Sequence, residues 1–171
     1  MNPGESGTNV YLGNRETPGG FPPAPEPIYG SAPSSPDLQN SGIDKEQAMD
    51  IFFQVQGAWT HRDLRPVQNL VTAEVAQYFQ EQINQLKVTQ RINRLENIAV
   101  RQAEVVEAWT ENGQDFATVH FLANLLDYTE DESSHQIVEG DSKTPVKFEE
   151  YWTFTKLQGE PSWRLSGVEQ V

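Results

Sequence analysis

The stretch that follows residue 43 carries apolar residues at helical spacing. After Asp44 they recur every three or four positions, which is the period of an amphipathic helix packed on one face. Asp44 is a good helix N-cap, and Gln47 stands at the position that completes a capping box. The apolar positions of this first predicted helix are Ile51, Val55, Ala58 and Trp59.

Two further helices are predicted before residue 91. Asp63 can cap a short second helix that carries Leu64, Val67 and Leu70, with Pro66 tolerated in its first turn. Thr72 can cap a third, longer helix whose apolar residues again follow a 3.6-residue period. The residues on its apolar face are Val75, Tyr78, Phe79, Ile83 and Leu86.

After about residue 91 the apolar period changes to two, which is typical of strands. The predicted strands are 95–110, 116–126, 146–157 and 163–170. Asn112-Gly113 is a strong hairpin signal between the first two, and 128–145 is expected to be a long acidic connection. Three helices followed by four antiparallel strands predict an α+β fold. We expect the helices to pack on one face of a curved sheet, forming a cone that can hold a pocket.

Residues 1–41 have a different composition. They hold 8 of the 11 prolines and 6 of the 12 glycines, and their apolar residues are isolated. Such a stretch cannot bury enough surface to offset its ordering entropy. We therefore predict a disordered linker or tether over 1–41 and a folded domain over 42–171. Within the linker, Pro22–Pro27 is interpreted as a spacer, with a ligand for a Pro-recognition domain as the alternative.

Charge and cysteine content exclude several classes of function. The chain has 12 Lys and Arg against 25 Asp and Glu, a formal net charge of −13. Binding of a nucleic-acid backbone needs clustered basic residues, so nucleic acid is excluded as the main partner. The absence of cysteine excludes disulfides, thiolate nucleophiles and cysteine zinc sites. No apolar run is long enough to span a membrane, so we expect the chain itself to be soluble.

Several segments, taken in order, resemble a known family. They are Ala58-Trp59, Asp63-Leu64, Asn93–Ile98, Leu125–Thr129, Val138–Gly140, Phe148–Phe154 and Trp163–Leu165. This pattern is similar to the Tim-forty-four-like (Tim44-like) domain, in a bacterial member. The family belongs to the nuclear-transport-factor-two-like, or cystatin-like, superfamily, whose cone agrees with the fold predicted from periodicity.

The resemblance implies a function without catalysis. The family is named for the scaffold of the mitochondrial import motor, whose domain contacts lipid and partner proteins. Bacterial relatives carry an upstream signal or membrane segment, then a flexible stretch, then this domain. The resemblance therefore implies a protein-interaction or scaffold module at a bacterial inner membrane, on its cytoplasmic side. An upstream segment outside this sequence would hold it there, and no cofactor is expected.

Six residues are candidates for binding, either in the pocket or on a sheet face: His120, Asp127, Tyr128, Tyr151, Trp152 and Phe154. The second strand and residues 151–154 are apolar on both faces, whereas helices can cover only one. A protein partner, a second copy in a dimer, or a lipid or small apolar ligand would cover the other. The alternative function is a pocket protein, isomerase-like if a His or Asp base met a Tyr donor.

The acidic stretch after Leu126 is interpreted as a solvated loop. It lacks the ordered spacing of a calcium-binding loop, so no metal site is predicted, although His135 lies among its carboxylates. Its acidic residues are Asp127, Glu130, Asp131, Glu132, Glu139 and Asp141. Glu149 and Glu150 are adjacent in a strand and face opposite ways, so they cannot act as a carboxylate pair.

Overall fold

The computed structural model describes residues 9–11, 14–16 and 42–171. Two short strands, β1 (Asn9–Tyr11) and β2 (Asn14–Glu16), pair with each other. The other elements are α1 (Lys45–His61), a 3₁₀ turn (Arg65–Val67), α2 (Ala73–Val88), β3 (Arg91–Glu111), β4 (Gln114–Asp131), β5 (Ile137–Leu157) and β6 (Arg164–Gln170). Strands β3 to β6 form an antiparallel meander in chain order, which confirms the α+β class and the four-stranded sheet. The remainder of the predicted linker lies outside the described residues.

Both long helices begin where the sequence predicts. Asp44 accepts a hydrogen bond from the Gln47 backbone at 2.7 Å, and the Gln47 side chain accepts one from the Asp44 backbone at 3.2 Å. The capping box is therefore complete. Thr72 Oγ1 accepts from the Val75 backbone and caps α2.

The prediction of a second helix is wrong, because a single 3₁₀ turn stands in its place. The described residues therefore contain two α-helices. The N-cap of this turn is Leu64 and not the predicted Asp63, whose carboxylate nevertheless accepts hydrogen bonds from the backbone and the guanidinium of Arg65. Immediately afterwards Val71 forms a parallel bridge with Leu165 of β6. Leu165 donates to the Leu70 carbonyl at 2.8 Å and accepts from Thr72 at 2.9 Å. These bonds hold the chain extended where a helix would have continued.

The prediction of a long acidic connection over 128–145 is also wrong. β4 runs on to Asp131 and β5 begins at Ile137, so only five residues turn between them. Cross-strand partners of opposite charge stabilise this polar part of the sheet, because Arg91 lies opposite Asp131. Sequence periodicity missed these strands because their side chains, apart from residues such as Ile137 and Val138, are polar on both faces.

An ion-pair cluster ties the β4–β5 turn to the end of α1. Arg62 Nη2 lies 2.8 Å from Glu132 Oε1, and Arg94 Nη2 lies 2.9 Å from Glu130 Oε1. Asp131 accepts hydrogen bonds from the Ser133 and Ser134 backbones. These interactions lower the pKa of Glu132, chiefly through Arg62, and that of Asp131, chiefly through Ser134. Burial raises the pKa of Glu130, but Arg94 and His135 outweigh it.

We expect acid to weaken this cluster. A pKa lowered by folding adds stability above the ordinary carboxyl value, 4.5 for Glu, and that stability is lost as the pH falls through the folded value. The free energy of unfolding in urea should therefore decrease from pH 7 towards about pH 3. Arg62→Gln should show a shallower decrease than the parent chain. Equal pH dependence in both proteins would contradict the assignment to this cluster.

The helices cover one face of the sheet, called here the inner face; the opposite face is the outer face. The Phe52 ring of α1 stacks on Phe121 of β4 at 4.7 Å between centroids, and on Phe148 of β5 at 5.6 Å. It also lies 4.9 Å from the Trp152 ring. These four rings are fully buried and form the centre of the core. Inner residues of β4 are Val119, Phe121, Ala123 and Leu125, as the alternation predicts.

Candidate functional site

The sheet separates the six candidate residues onto its two faces. Trp152 and Phe154 are fully buried in the core, which occupies the inner face. Asp127 also lies on the inner face, because it contacts Asn93 beneath α1. The outer face carries the other three candidates, His120, Tyr128 and Tyr151, which alternate with inner residues along β4 and β5.

On the outer face, His120 and Tyr151 lie together. They are cross-strand partners, and their ring centroids are 5.1 Å apart. His120 Nε2 lies 2.8 Å from Glu149 Oε1, and Lys147 Nζ lies 3.4 Å from the other oxygen of that carboxylate. The hydrogen bond from His120 is the main cause that lowers the pKa of Glu149, with a smaller contribution from Lys147. The arrangement is a half-buried polar cluster in which the carboxylate is held ionised.

This cluster belongs to a row that crosses the whole sheet. Glu104 of β3 lies opposite His120, and Tyr151 lies opposite Glu169 of β6. Glu104 and Glu169 are exposed. The row therefore presents an aromatic pair between carboxylates, which suits contact with a positively charged group.

Tyr128 makes a separate contact further along β4. Its hydroxyl donates to Glu96 of β3, and this bond raises the pKa of Tyr128 to about 12. A phenol in this state remains protonated at neutral pH and acts as a hydrogen-bond donor. Its carboxylate partner lies on the neighbouring strand, on the face opposite to Asp127.

The inner face contains a buried polar network that the apolar periodicity does not predict. Trp59 Nε1 of α1 donates to Asn93 Oδ1 at 2.8 Å, and Asn93 Nδ2 donates to Asp127 Oδ1 at 2.9 Å. Asn93 Nδ2 also lies 3.2 Å from Thr129 Oγ1. Asn93 is 2% exposed and links helix to sheet. Only the position of Asn93 within the family-like segment Asn93–Ile98 pointed to it.

We expect Asn93→Ala to lower the free energy of unfolding by about 2–4 kcal/mol, because it leaves the buried Trp59 indole without its acceptor and creates a cavity. Urea denaturation followed by tryptophan fluorescence measures this loss. Asn84→Ala, on the exposed surface of α2, is the matched control and should change stability by less than about 0.5 kcal/mol. Similar losses in the two variants would contradict the proposed role of the network.

A buried carboxylate lies beside the core rings. Glu150 is fully buried, and its Oε2 accepts from Trp152 Nε1 at 2.9 Å. Glu149 and Glu150 thus face opposite ways across β5, as predicted. Through this bond Glu150 helps to fix the Trp152 ring.

The geometry divides the isomerase-like candidates between the two faces. Asp127 lies on the inner face, away from both candidate tyrosines, whereas His120 lies beside Tyr151 on the outer face, where its imidazole is bonded to Glu149. Within residues 42–171, no three His, Asp or Glu side chains are grouped as metal ligands. What the outer face offers instead is a polar and aromatic surface suited to binding.

Comparison with known proteins identifies the family. A family model described as the Tim44-like domain matches residues 45–170. The chain belongs to the Tim44-like domain family. The family resemblance carried by segments such as Asn93–Ile98 is therefore confirmed, and the match covers both helices and the whole four-stranded sheet.

A structural neighbour of this Tim44-like chain is the crystal structure of the intermembrane space region of the chloroplast protein ARC6. The TM-score is 0.48 at 8% identity, over 75% of this chain and 97% of the other. No curated protein matches the chain in sequence. Among the described residues, neither helix has the length and apolar composition needed to cross a membrane.

Proposed function

We propose that this Tim44-like domain is a non-catalytic scaffold module that binds a protein partner. The observation that carries the proposal is the separation of His120 and Tyr151 from Asp127 by the sheet, in a member of a scaffold family. The candidate residues that could do acid–base chemistry are each engaged with a neighbouring side chain. Those on the outer face instead form a half-exposed polar surface.

The core supports the same proposal. Phe52 packs directly against Phe121, Phe148 and Trp152, so aromatic side chains fill the space between α1 and the centre of the sheet. Trp152 and Phe154 belong to this packing, which makes them structural residues of the module. Partner contact is accordingly assigned to His120 and Tyr151 on the outer face.

We further propose that an upstream segment tethers the module to a bacterial inner membrane, with the domain on the cytoplasmic side. The composition of residues 1–41 supports a spacer between such an anchor and the domain. Fractionation of the source cell with an antibody to residues 42–171 tests this. Recovery from the soluble fraction alone, with native protein of the same length as this chain, would refute the tether.

In-cell photocrosslinking tests the module itself. A photoreactive phenylalanine analogue at Tyr151 should form an adduct with a protein of discrete mass, because this position is half-exposed beside Glu169. The matched control places the analogue at Gln80, on the exposed side of α2. An adduct only with lipid, or equal adducts at both positions, would count against a protein partner on the outer face.

The second candidate is a lipid or small apolar ligand bound inside the cone. The apolar inner face, which includes Phe148 and Phe154, has the chemistry for such a ligand, but Phe52 of α1 already packs on Phe148 there, so the ligand would have to displace α1. Native mass spectrometry of the full chain distinguishes the two functions. A retained small molecule would favour the pocket, whereas a protein of unmodified mass, as monomer or dimer, would favour the scaffold module.

A further inference from the structure

On the outer face, β3 presents a stripe of side chains that begins at Glu104, the end of the row described above. Glu104, Glu107, Trp109 and Glu111 follow one another along this face, as their register with β4 shows. We call these four residues the β3 stripe. Glu104 is exposed, while Glu107 and Glu111 are half-buried.

Two atoms of the β3 stripe are buried without a hydrogen-bond partner among the described residues: Trp109 Nε1 and Glu111 Oε2. The first can only donate and the second, when ionised, can only accept. Trp109 is 7% exposed and its ring is stacked on Phe116 at 5.1 Å with an interplanar angle of 11°, so the indole is fixed in place. An unsatisfied buried polar atom costs about 1–3 kcal/mol. A ligand would reach these two atoms after a side-chain movement of Glu111, and bonding them would recover that cost.

The pairing of a donor with an acceptor indicates the chemistry of that ligand. One residue of an extended chain presents its carbonyl and its N–H on the same edge, the carbonyl for Trp109 Nε1 and the N–H for Glu111 Oε2, which a single charged ion does not. Alternate residues of an extended chain repeat at about 7 Å, the same repeat as Glu107, Trp109 and Glu111 along β3. Alternate residues of an extended segment lying along the stripe would therefore match the spacing of its side chains.

Charge selects the side chains of that segment. None of the three glutamates of the β3 stripe forms an ion pair within the described residues. Arg101, on the same strand, donates to Asn124 at 3.0 Å, and Arg164 lies on β6, three strands across the sheet. A second copy of this acidic stripe would be repelled, whereas lysine or arginine side chains would be attracted.

We propose that the β3 stripe binds an extended, lysine- or arginine-rich segment of the partner protein. Trp109 and Glu111 bond the carbonyl and the N–H of one residue of that segment, while Glu104 and Glu107 take its basic side chains. This inference rests on the proposed function and specifies the partner's chemistry. It also places the partner's contact at the β3 edge of the outer face, beyond His120.

Fluorescence anisotropy of the full chain tests the stripe directly. The probe is a fluorescein-labelled peptide of alternating lysine and alanine, with a glutamate–alanine peptide as its control. The basic peptide should bind, and binding should weaken steeply with salt because it depends on charge. Equal binding of the acidic peptide, or binding that salt does not change, would overturn the proposal.

Two conservative variants separate the peptide-group contact from general charge. Trp109→Phe removes only the indole N–H while keeping an aromatic ring, and should weaken binding about fivefold, the value of one hydrogen bond. Glu111→Gln should weaken it similarly and reduce the salt dependence. Glu74→Gln, on the exposed first turn of α2, is the charge-matched control and should bind like the parent chain. Loss in Glu74→Gln equal to that in Glu111→Gln would overturn the site.

The indole N–H signals give a readout that does not depend on affinity. In an NMR spectrum of the ¹⁵N-labelled chain, the signal missing from Trp109→Phe identifies this indole. It should shift when the basic peptide is added, while the Trp59 and Trp152 signals, whose acceptors are internal, should not. An unchanged Trp109 signal, as expected if water or Glu111 already satisfies it, would overturn the inference. If a partner identified by crosslinking bound Trp109→Phe with the affinity of the parent chain, the β3 stripe would be overturned as its site. The proposed scaffold function would remain.

Discussion

Phe52→Ala is expected to lower the free energy of unfolding by about 3–5 kcal/mol, among the largest losses for a single truncation in this domain. Among the described residues, Phe52 is the only helix residue whose ring contacts three aromatic side chains of the sheet, which are Phe121, Phe148 and Trp152. Its removal leaves a cavity that rigid rings on the sheet cannot collapse to fill. Urea denaturation followed by circular dichroism measures the loss.

The neighbouring residue supplies a matched control. Phe53 follows Phe52 in α1, touches it edge-on at 5.5 Å, and is 41% exposed. Phe53→Ala removes the same atoms one position along the helix, and should cost less than about 1.5 kcal/mol because much of the ring is already in water. Equal losses from the two variants would show that α1 is not oriented on the sheet as described.

The helices and the hairpin could be predicted because their determinants are local. Asp44 and Thr72 cap the two helices through their own side chains, and Asn112-Gly113 turns the β3–β4 hairpin with positive φ at both residues. Each of these features depends on a few consecutive residues. Composition and spacing were therefore sufficient to define them.

The errors lie where distant parts of the chain meet. The second helix fails because Val71 pairs with Leu165, almost a hundred positions later. The strands beyond Leu126 were missed because charged partners such as Arg91 and Asp131 stabilise them, in place of an apolar face. Local periodicity contains no information about either pairing.

The candidate site was predicted in part, for the same reason. Alternation along β4 placed His120 opposite to the inner residues, and adjacency placed Glu149 and Glu150 on opposite faces. The contact of His120 with Glu149, and the link from Trp59 through Asn93 to Asp127, depend on strand register. Bulges in β3, such as the one between Glu96 and Ala99, shift that register by one residue at positions the sequence does not mark.

At Gly140, the register between β4 and β5 depends on the absence of a side chain. We expect Gly140→Ala to be the second most destabilising substitution. A Cβ at this position would stand 2.4 Å from the Asp127 carbonyl oxygen and 2.9 Å from the Tyr128 Cα. Both are backbone atoms of β4, so the two strands would have to separate. The backbone at Gly140 also has φ +79°, a region that disfavours a side chain.

Gly113→Ala isolates the backbone effect from the clash. Gly113 has φ +75°, close to that of Gly140, but nothing lies within 4 Å of its would-be Cβ. It should cost about 1–2 kcal/mol, the price of the left-handed conformation alone. Gly140→Ala should cost at least about 2 kcal/mol more, since displacement of β4 also pulls Asp127 away from Asn93. If the two variants were equally stable in urea, the close approach of β5 to β4 would not fix the register, and the position of Asp127 beneath α1 would need another cause.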